Sequence, residues 1–179
     1  VPWSVEPFKD EQVDSYEIGS KMGLLDQRLF LNLAAFHNKY KDIQLSIFTA
    51  YDSNNDGKDD AFFGDFTNAG AATINGLEVE YQWLPTQHWA ITGNLAWMDA
   101  KFDEYMFKGV NIAKQQAMTN APDFSGAINL EWRTDLANGG HLSARAGYSY
   151  QSKVVATTEI VKDPVTGALA SPITQEGYG

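Results

Sequence analysis

The sequence predicts an all-β protein, an antiparallel meander of about seven long strands. Apolar and polar residues alternate along most of the chain, and this two-residue period is typical of a half-buried strand. Aromatic residues make up 13% of the 179 residues and there are 15 glycines, a composition that favours strands and turns. Short and long connections also alternate, so the short turns are expected at one end of the sheet and the long loops at the other.

The strands follow from the alternation. It is clearest over residues 77–83, where four apolar residues alternate with three polar ones, in the order Leu77, Glu78, Val79, Glu80, Tyr81, Gln82 and Trp83. The same period recurs in four further segments, 15–24, 89–98, 124–133 and 142–150. Each segment is therefore expected to have one apolar and one polar face.

Residues 28–47 form a longer and less regular segment. Its length exceeds the usual strand of about five or six residues. The apolar residues at odd positions from 29 to 35 and from 43 to 47 predict one continuous face, while Phe30 and Phe36 fall on the other.

The connections separate two kinds of β-protein. Short turns are predicted at about residues 25–27, 85–87 and 135–140, and long loops at about 48–66, 103–121 and 155–173. Residues 110–118 could form a turn or two of helix within a loop, and no substantial helix is expected. A soluble β-sandwich mixes its loops at both ends, whereas a transmembrane β-barrel has tight turns on one side only.

Tryptophans near the short turns favour the barrel. Trp83 and Trp89 flank one short turn, and Trp132 lies just before another. Barrels carry rings of aromatic residues at the membrane interfaces. In a sandwich the same residues would be ordinary core tryptophans, so this pattern favours the barrel without excluding the sandwich.

The ordered motifs resemble the β-barrel of TonB-dependent outer-membrane receptors. Residues 13–46 are similar to a family strand with Glu-x-Gly-x-Lys, a short turn and a long strand ending in Tyr-x-Asp-Ile-Gln. The matching residues are Glu17, Gly19, Lys21, Tyr40, Asp42, Ile43 and Gln44. Residues 67–83 resemble the next family strand through Asn68, Ala69, Gly70, Gly76, Glu78 and Glu80. Further matches follow in the family's order at residues 95–105, 120–132 and 142–153.

This resemblance implies a segment of a large transmembrane β-barrel of about 22 strands. About seven strands cannot close such a barrel. Residues 1–179 are therefore expected to be a partial barrel from its later part, with the plug domain, the TonB-contacting segment and the remaining strands outside this chain. An isolated piece would have two open edges, which are costly in lipid and prone to aggregate in water.

The resemblance also implies a function. Such a receptor lies in the outer membrane of a Gram-negative bacterium and imports a scarce nutrient complex, most commonly a ferric siderophore. The TonB energy-transducing complex acts on it through the plug. The chain would supply wall and outer loops in contact with outer-membrane lipid, with no enzymatic step, and no residue identifies the imported ligand.

Two other function classes stay open from the residues. One is a soluble β-sandwich with a calcium loop, acting as a binding or adhesion module, and the other is a porin-like channel. The formal net charge of −10 argues against nucleic acid, because nucleic-acid binding needs a basic face. Cysteine is absent, which excludes disulfides and thiolate metal sites. No nucleophile, phosphate-loop or zinc motif indicates an enzyme.

Charged residues on the polar faces have a structural interpretation. Glu78 and Glu80 share one strand face about 7 Å apart, a spacing that could suit acid–base chemistry. Residues facing a barrel lumen or plug account for them better. Arg133 and Arg145 lie on the polar faces of neighbouring strands, and because buried charges need partners, ion pairs with such acids are expected.

One loop carries a candidate calcium site. Alternating oxygen-bearing side chains point at one centre, and calcium takes six to eight oxygen ligands. The candidate ligands are Asp52, Asn54, Asp56, Lys58 through its carbonyl, and Asp60. Position twelve is Phe63 where an EF-hand has Glu, and the flanks are strands, so the loop is not an EF-hand. The other interpretation is a loop tip built from turn-forming residues.

Overall fold

The computed structural model describes residues 9–58, 61–107, 109–156 and 174–179, with the backbone alone for 46–51 and 62–66. Within these ranges nine strands and one short 3₁₀ helix are assigned. The strands are β1 Gln12–Leu24, β2 Leu29–Tyr51, β3 Ala61–Thr86, β4 Trp89–Phe107, β5 Val110–Asn111, β6 Phe124–Asp135, β7 His141–Gln151, β8 Val154–Val155 and β9 Thr174–Gln175; the 3₁₀ helix is Ala113–Gln115.

The strands form an open antiparallel sheet. Seven strands belong to it in the order β1-β2-β3-β4-β6-β7, with β5 beside the end of β4, and β8 pairs with β9 separately. Each long strand pairs with the next long strand along the chain. The predicted meander is therefore confirmed, and the described residues contain no α-helix.

Two strands are longer than the sequence predicted. β2 has 23 residues and β3 has 26, and their pairing continues to Tyr51 opposite Ala61. Most of the loop predicted at 48–66 is therefore strand, and only residues 52–60 connect the two. The alternation fades there, so the local pattern did not reveal pairing that the partner strand supplies. The long loop predicted at about 155–173 lies almost wholly outside the described residues.

The register separates the sheet into an apolar and a polar face. Leu33, Val79 and Leu95 lie side by side across β2, β3 and β4, while Ala34, Glu78 and Ala96 form the neighbouring row on the opposite face. The apolar face is uncovered. Its side chains include Ile18, Leu77 and Tyr148, which are 76%, 52% and 58% exposed.

A bulge in β2 moves Ile43 to the opposite face of the sheet. Tyr40 pairs with Ala72 and Ile43 with Gly70, so β2 has one residue more than β3 between these pairs. Asp42 has φ of 54° at this point. The prediction that 29–35 and 43–47 share one face is therefore wrong for Ile43, because the extra residue turns it onto the face of Gly70.

The main cluster of buried apolar residues lies at the long-loop end. It comprises Leu45, Ala69, Tyr105, Phe107, Ile112 and Ala113. Ile112 is 1% exposed, and its backbone N–H donates to the Tyr105 carbonyl at 2.9 Å. The Asn111 side-chain oxygen accepts from the backbone N–H groups of Tyr105 and Ala113 at 3.1 and 3.0 Å. These bonds hold the segment after β5 against the end of β4.

Candidate functional site

Two rows of aromatic side chains border the apolar face. Trp89 pairs with Trp132 at the short-turn end, and Trp97 pairs with Phe124 eight residues further along β4. Eight residues at strand rise span about 27 Å, or about 21 Å across a membrane at a strand tilt of about 40°. An outward apolar band of about 25 Å between two aromatic girdles is typical of membrane barrels.

The opposite face carries the charged residues that the sequence singled out. Arg145 Nη2 lies 3.2 Å from Glu131 Oε1, and Arg133 Nε lies 3.1 Å from the same oxygen. The predicted ion pairs are therefore present, but their acid is Glu131 and not Glu78 or Glu80. Glu131 was overlooked, although its position opposite Arg145 in the register would have indicated it once the two strands were aligned.

Glu78 and Glu80 border a separate hollow. Gly19 and Ala34 also line this cavity, which has a volume of about 390 Å³. Asn32 donates its side-chain amide to Glu80 Oε2 at 3.3 Å. The two glutamates thus form part of the polar lining of this cavity. The small residues Gly19 and Ala34 beside them leave the space open.

A larger cavity of about 560 Å³ lies at the short-turn end of the polar face, and we call it the turn-end pocket. It is lined by residues from three strands and two turns, including Arg28, Gln82, Gln87, His88, Trp89, Thr92, Glu131 and Arg133. His88 Nδ1 lies 3.0 Å from the carbonyl oxygen of Arg133. Of these residues, the sequence had pointed to Arg133 as an ion-pair partner, but it did not predict that Arg133 shares a cavity with the others.

The histidines lie at separate places. His37 Nδ1 is 2.7 Å from Asn75 Oδ1, between β2 and β3. His141 Nδ1 is 2.7 Å from Asp135 Oδ1, beside a short turn. Together with His88 in the turn-end pocket, they form no common site.

The candidate calcium loop is organised by its own backbone. Asp52 Oδ2 accepts from the Gly57 N–H at 2.6 Å, and Oδ1 accepts from Asn54 and Asp56 N–H at 3.1 and 3.2 Å. Asp56 Oδ1 in turn accepts from the Lys58 N–H at 2.9 Å. Partial desolvation raises the pKa of Asp52, but these backbone donors outweigh it and hold the pKa below its ordinary value.

These contacts are those of a turn-forming loop tip. Within the described residues, no group of three or more acidic or histidine side chains is arranged to hold a metal ion. Asp60, the last of the five candidate ligands, lies outside the described residues. Calcium binding therefore stays a prediction for this loop.

The comparisons with known proteins give the family. A family model described as "TonB dependent receptor-like, beta-barrel" matches residues 3–179. The metal-pseudopaline receptor CntO of Pseudomonas aeruginosa is 32% identical over 143 residues, which cover 79% of this chain and 18% of CntO. The chain belongs to the TonB-dependent receptor β-barrel family. It spans about a fifth of the length of the receptors it matches.

Solved receptors share the fold. The ferric yersiniabactin uptake receptor FyuA from Yersinia pestis matches with a TM-score of 0.63 and 19% identity, over 97% of this chain and 22% of FyuA. The ferric-catecholate import receptor Fiu from K12 E. coli matches with a TM-score of 0.60 and 20% identity, over 96% of this chain and 20% of Fiu.

Family membership assigns the two faces of the sheet. In a transmembrane barrel the apolar face contacts lipid and the polar face lines the interior. The long apolar strands bordered by aromatic rows fit the lipid side, and the charged face with Glu131 fits the interior. No helix in the described part of the chain is long and apolar enough to cross a membrane.

Proposed function

We propose that this chain is wall and outer loop of an outer-membrane receptor that imports a scarce metal complex, most commonly a ferric siderophore, with energy supplied through TonB. The family match over residues 3–179 carries this proposal. The two-faced sheet supports it, because a lipid-facing apolar band and a polar interior are what such a wall requires.

The relatives narrow the class of cargo. CntO is a receptor for metal-pseudopaline, and FyuA and Fiu are named for ferric yersiniabactin and ferric catecholates. A metal held by an organic chelator is common to all three names. A metal chelate, with ferric siderophores as its main group, is therefore the cargo we propose for the whole receptor.

The chain itself would perform no chemical step. Binding of cargo would involve the outer loops together with a plug, and the TonB complex would act on the plug from the inner membrane. The chain's contribution would be a rigid wall in the outer membrane of a Gram-negative bacterium, with lipid on one side and the plug on the other.

Uptake measurements test this function. Deletion of the full-length gene is expected to abolish uptake of a ⁵⁵Fe-labelled siderophore or of a labelled metal–chelator complex, and removal of TonB should have the same effect. Uptake that persists without TonB would favour the porin-like channel. Recovery of the full-length protein as a soluble monomer without detergent would favour the β-sandwich instead.

A further inference from the structure

The turn-end pocket combines cationic side chains with neutral side chains that carry hydrogen-bond donors. Its volume of about 560 Å³ can hold a small molecule or a protein side chain. Gln82 and Thr92 are direct cross-strand neighbours in its wall, on the face that family membership assigns to the barrel interior. The pocket is therefore separated from the lipid side by the sheet itself.

Arginine is concentrated at this end of the chain's polar face. The sequence contains three arginines, Arg28, Arg133 and Arg145. Two of them line the turn-end pocket together with a single carboxylate, Glu131. That carboxylate is also bound by Arg145 at 3.2 Å. Two guanidinium groups thus bind one acid, and the third, from Arg28, lines the same pocket. The formal net charge of the chain is −10.

Arg28 is the guanidinium that remains available. Its Nε donates to the Leu25 carbonyl at 3.2 Å, which fixes the side chain and leaves the terminal nitrogens for another acceptor. Among the residues that the structure describes, the carboxylate ion pairs include Arg133 and Arg145 but not Arg28. Guanidinium groups match the planar oxygens of carboxylates and phosphates in a bidentate manner.

Neutral groups around the pocket can add further donors. Gln82, Gln87 and Thr92 line it, and amide and hydroxyl groups donate to anions. His88 has one ring nitrogen on the Arg133 carbonyl and the other near the Gln87 amide, at 3.0 and 3.2 Å. An anion placed between Arg28 and Arg133 would meet both charged and neutral donors.

We propose that the turn-end pocket is an oxyanion-binding site, which holds a carboxylate or phosphate group at the inner rim of the barrel. The group can come from an Asp or Glu side chain elsewhere in the receptor polypeptide, or from a small free anion in the lumen. This inference rests on the barrel fold and not on the identity of the cargo, so a failed uptake experiment would leave it intact.

Zero-length crosslinking tests for a polypeptide carboxylate. In the full-length receptor in detergent, Arg28→Lys places a primary amine in the pocket, and a carbodiimide couples amines to carboxylates in ion-pair contact. Peptide mapping by mass spectrometry is expected to find position 28 joined to an Asp or Glu that is not Glu131. Arg145→Lys is the positive control, because its coupling to Glu131 follows from the 3.2 Å contact.

Titration with inorganic phosphate tests for a free anion. Calorimetry on the full-length receptor should then show binding that Arg28→Gln weakens about 10-fold or more, the effect of losing a charged hydrogen bond. Lys101→Gln is the matched control and should bind as the native protein does, since Lys101 pairs with Asp99 far from the short turns.

Either result alone supports the oxyanion site and identifies its source. The proposal is overturned if position 28 couples only to Glu131. In that case the charge of Arg28 would be neutralised by a carboxylate that already lines the pocket. It is also overturned if position 28 couples to nothing while the Arg145→Lys control does couple, and phosphate binding is absent or unaffected by Arg28→Gln.

Discussion

The Phe36 ring occupies the space where a side chain of Gly76 would stand. The two residues are direct cross-strand partners in β2 and β3. A Cβ atom added to Gly76 would overlap the Phe36 ring, whose atoms are its three nearest neighbours. An aromatic side chain that covers a glycine on a neighbouring strand shields the backbone and fixes the register. Phe36, which broke the expected alternation of its segment, is therefore accounted for by its partner strand.

Gly76→Ala is expected to destabilise the full-length receptor by about 1–3 kcal/mol, because the added methyl group forces the ring out of its place. Phe36→Ala should remove that clash, so the double variant should lose less than the sum of the single losses. Thermal unfolding in detergent measures all four proteins. Strict additivity would show that the ring and the glycine do not interact.

An arginine introduced on the apolar face of β4 is expected to destabilise the protein, whereas an arginine on the polar face should be tolerated. Leu95→Arg places a charge in the lipid-facing band and is expected to cost about 2–4 kcal/mol. Asn94→Arg, one residue away, lies beside Glu80 in the register and should be tolerated. Folding into lipid vesicles, followed by gel mobility with and without heating, compares the two variants. Equal losses would contradict the assignment of the faces.

Glu131 pairs with both Arg133 and Arg145. We therefore expect substitution of Glu131 to lower the stability of the protein more than substitution of Arg145. Glu131→Gln leaves both guanidinium groups without their acid, whereas Arg145→Gln leaves Glu131 paired with Arg133. The midpoint of thermal unfolding should therefore fall more for Glu131→Gln than for Arg145→Gln. Both effects should be modest, because the arginine side chains are largely exposed and solvent screens the pairs. The reverse order would exclude Glu131 as the centre of the cluster.

The backbone contacts of Asp52 predict that the order of the loop at residues 52–58 depends on pH. Its folded-state pKa is depressed by backbone donors, so its contribution is present above the unfolded pKa of about 3.9 and is lost as the pH falls through the folded value. The protection factor of the Gly57 amide is expected to fall in that acidic range, measured by hydrogen exchange. Asp52→Asn should remove this pH dependence, while the Gly139 amide, bonded to the Leu136 carbonyl at 3.0 Å, serves as an internal control.

The calcium prediction is tested by calcium titration of the native receptor and its Asp56→Ala variant. If the loop binds calcium, we expect a dissociation constant on the order of 10⁻⁴ M, as in extracellular modules, and a clear weakening in the variant. Identical titrations would assign the acidic residues to the turn alone, as the contacts of Asp52 with Gly57 suggest.

The alternating residues of 77–83 were enough to predict strands with two faces, and the ordered motifs were enough to predict the family. Both are local features, since the period of a strand lies within its own sequence. The tryptophans near the short turns likewise pointed to a membrane interface before any pairing was known.

The tertiary structure decided which residues meet. Phe36 covers Gly76, Ile43 lies on the face of Gly70, and two arginines share Glu131. All three arrangements depend on the register between strands. Register joins residues that are far apart in sequence, and a single extra residue in one strand moves every later side chain to the other face. Local periodicity therefore predicted the strands of this protein, while the contacts that form its turn-end pocket required the paired sheet.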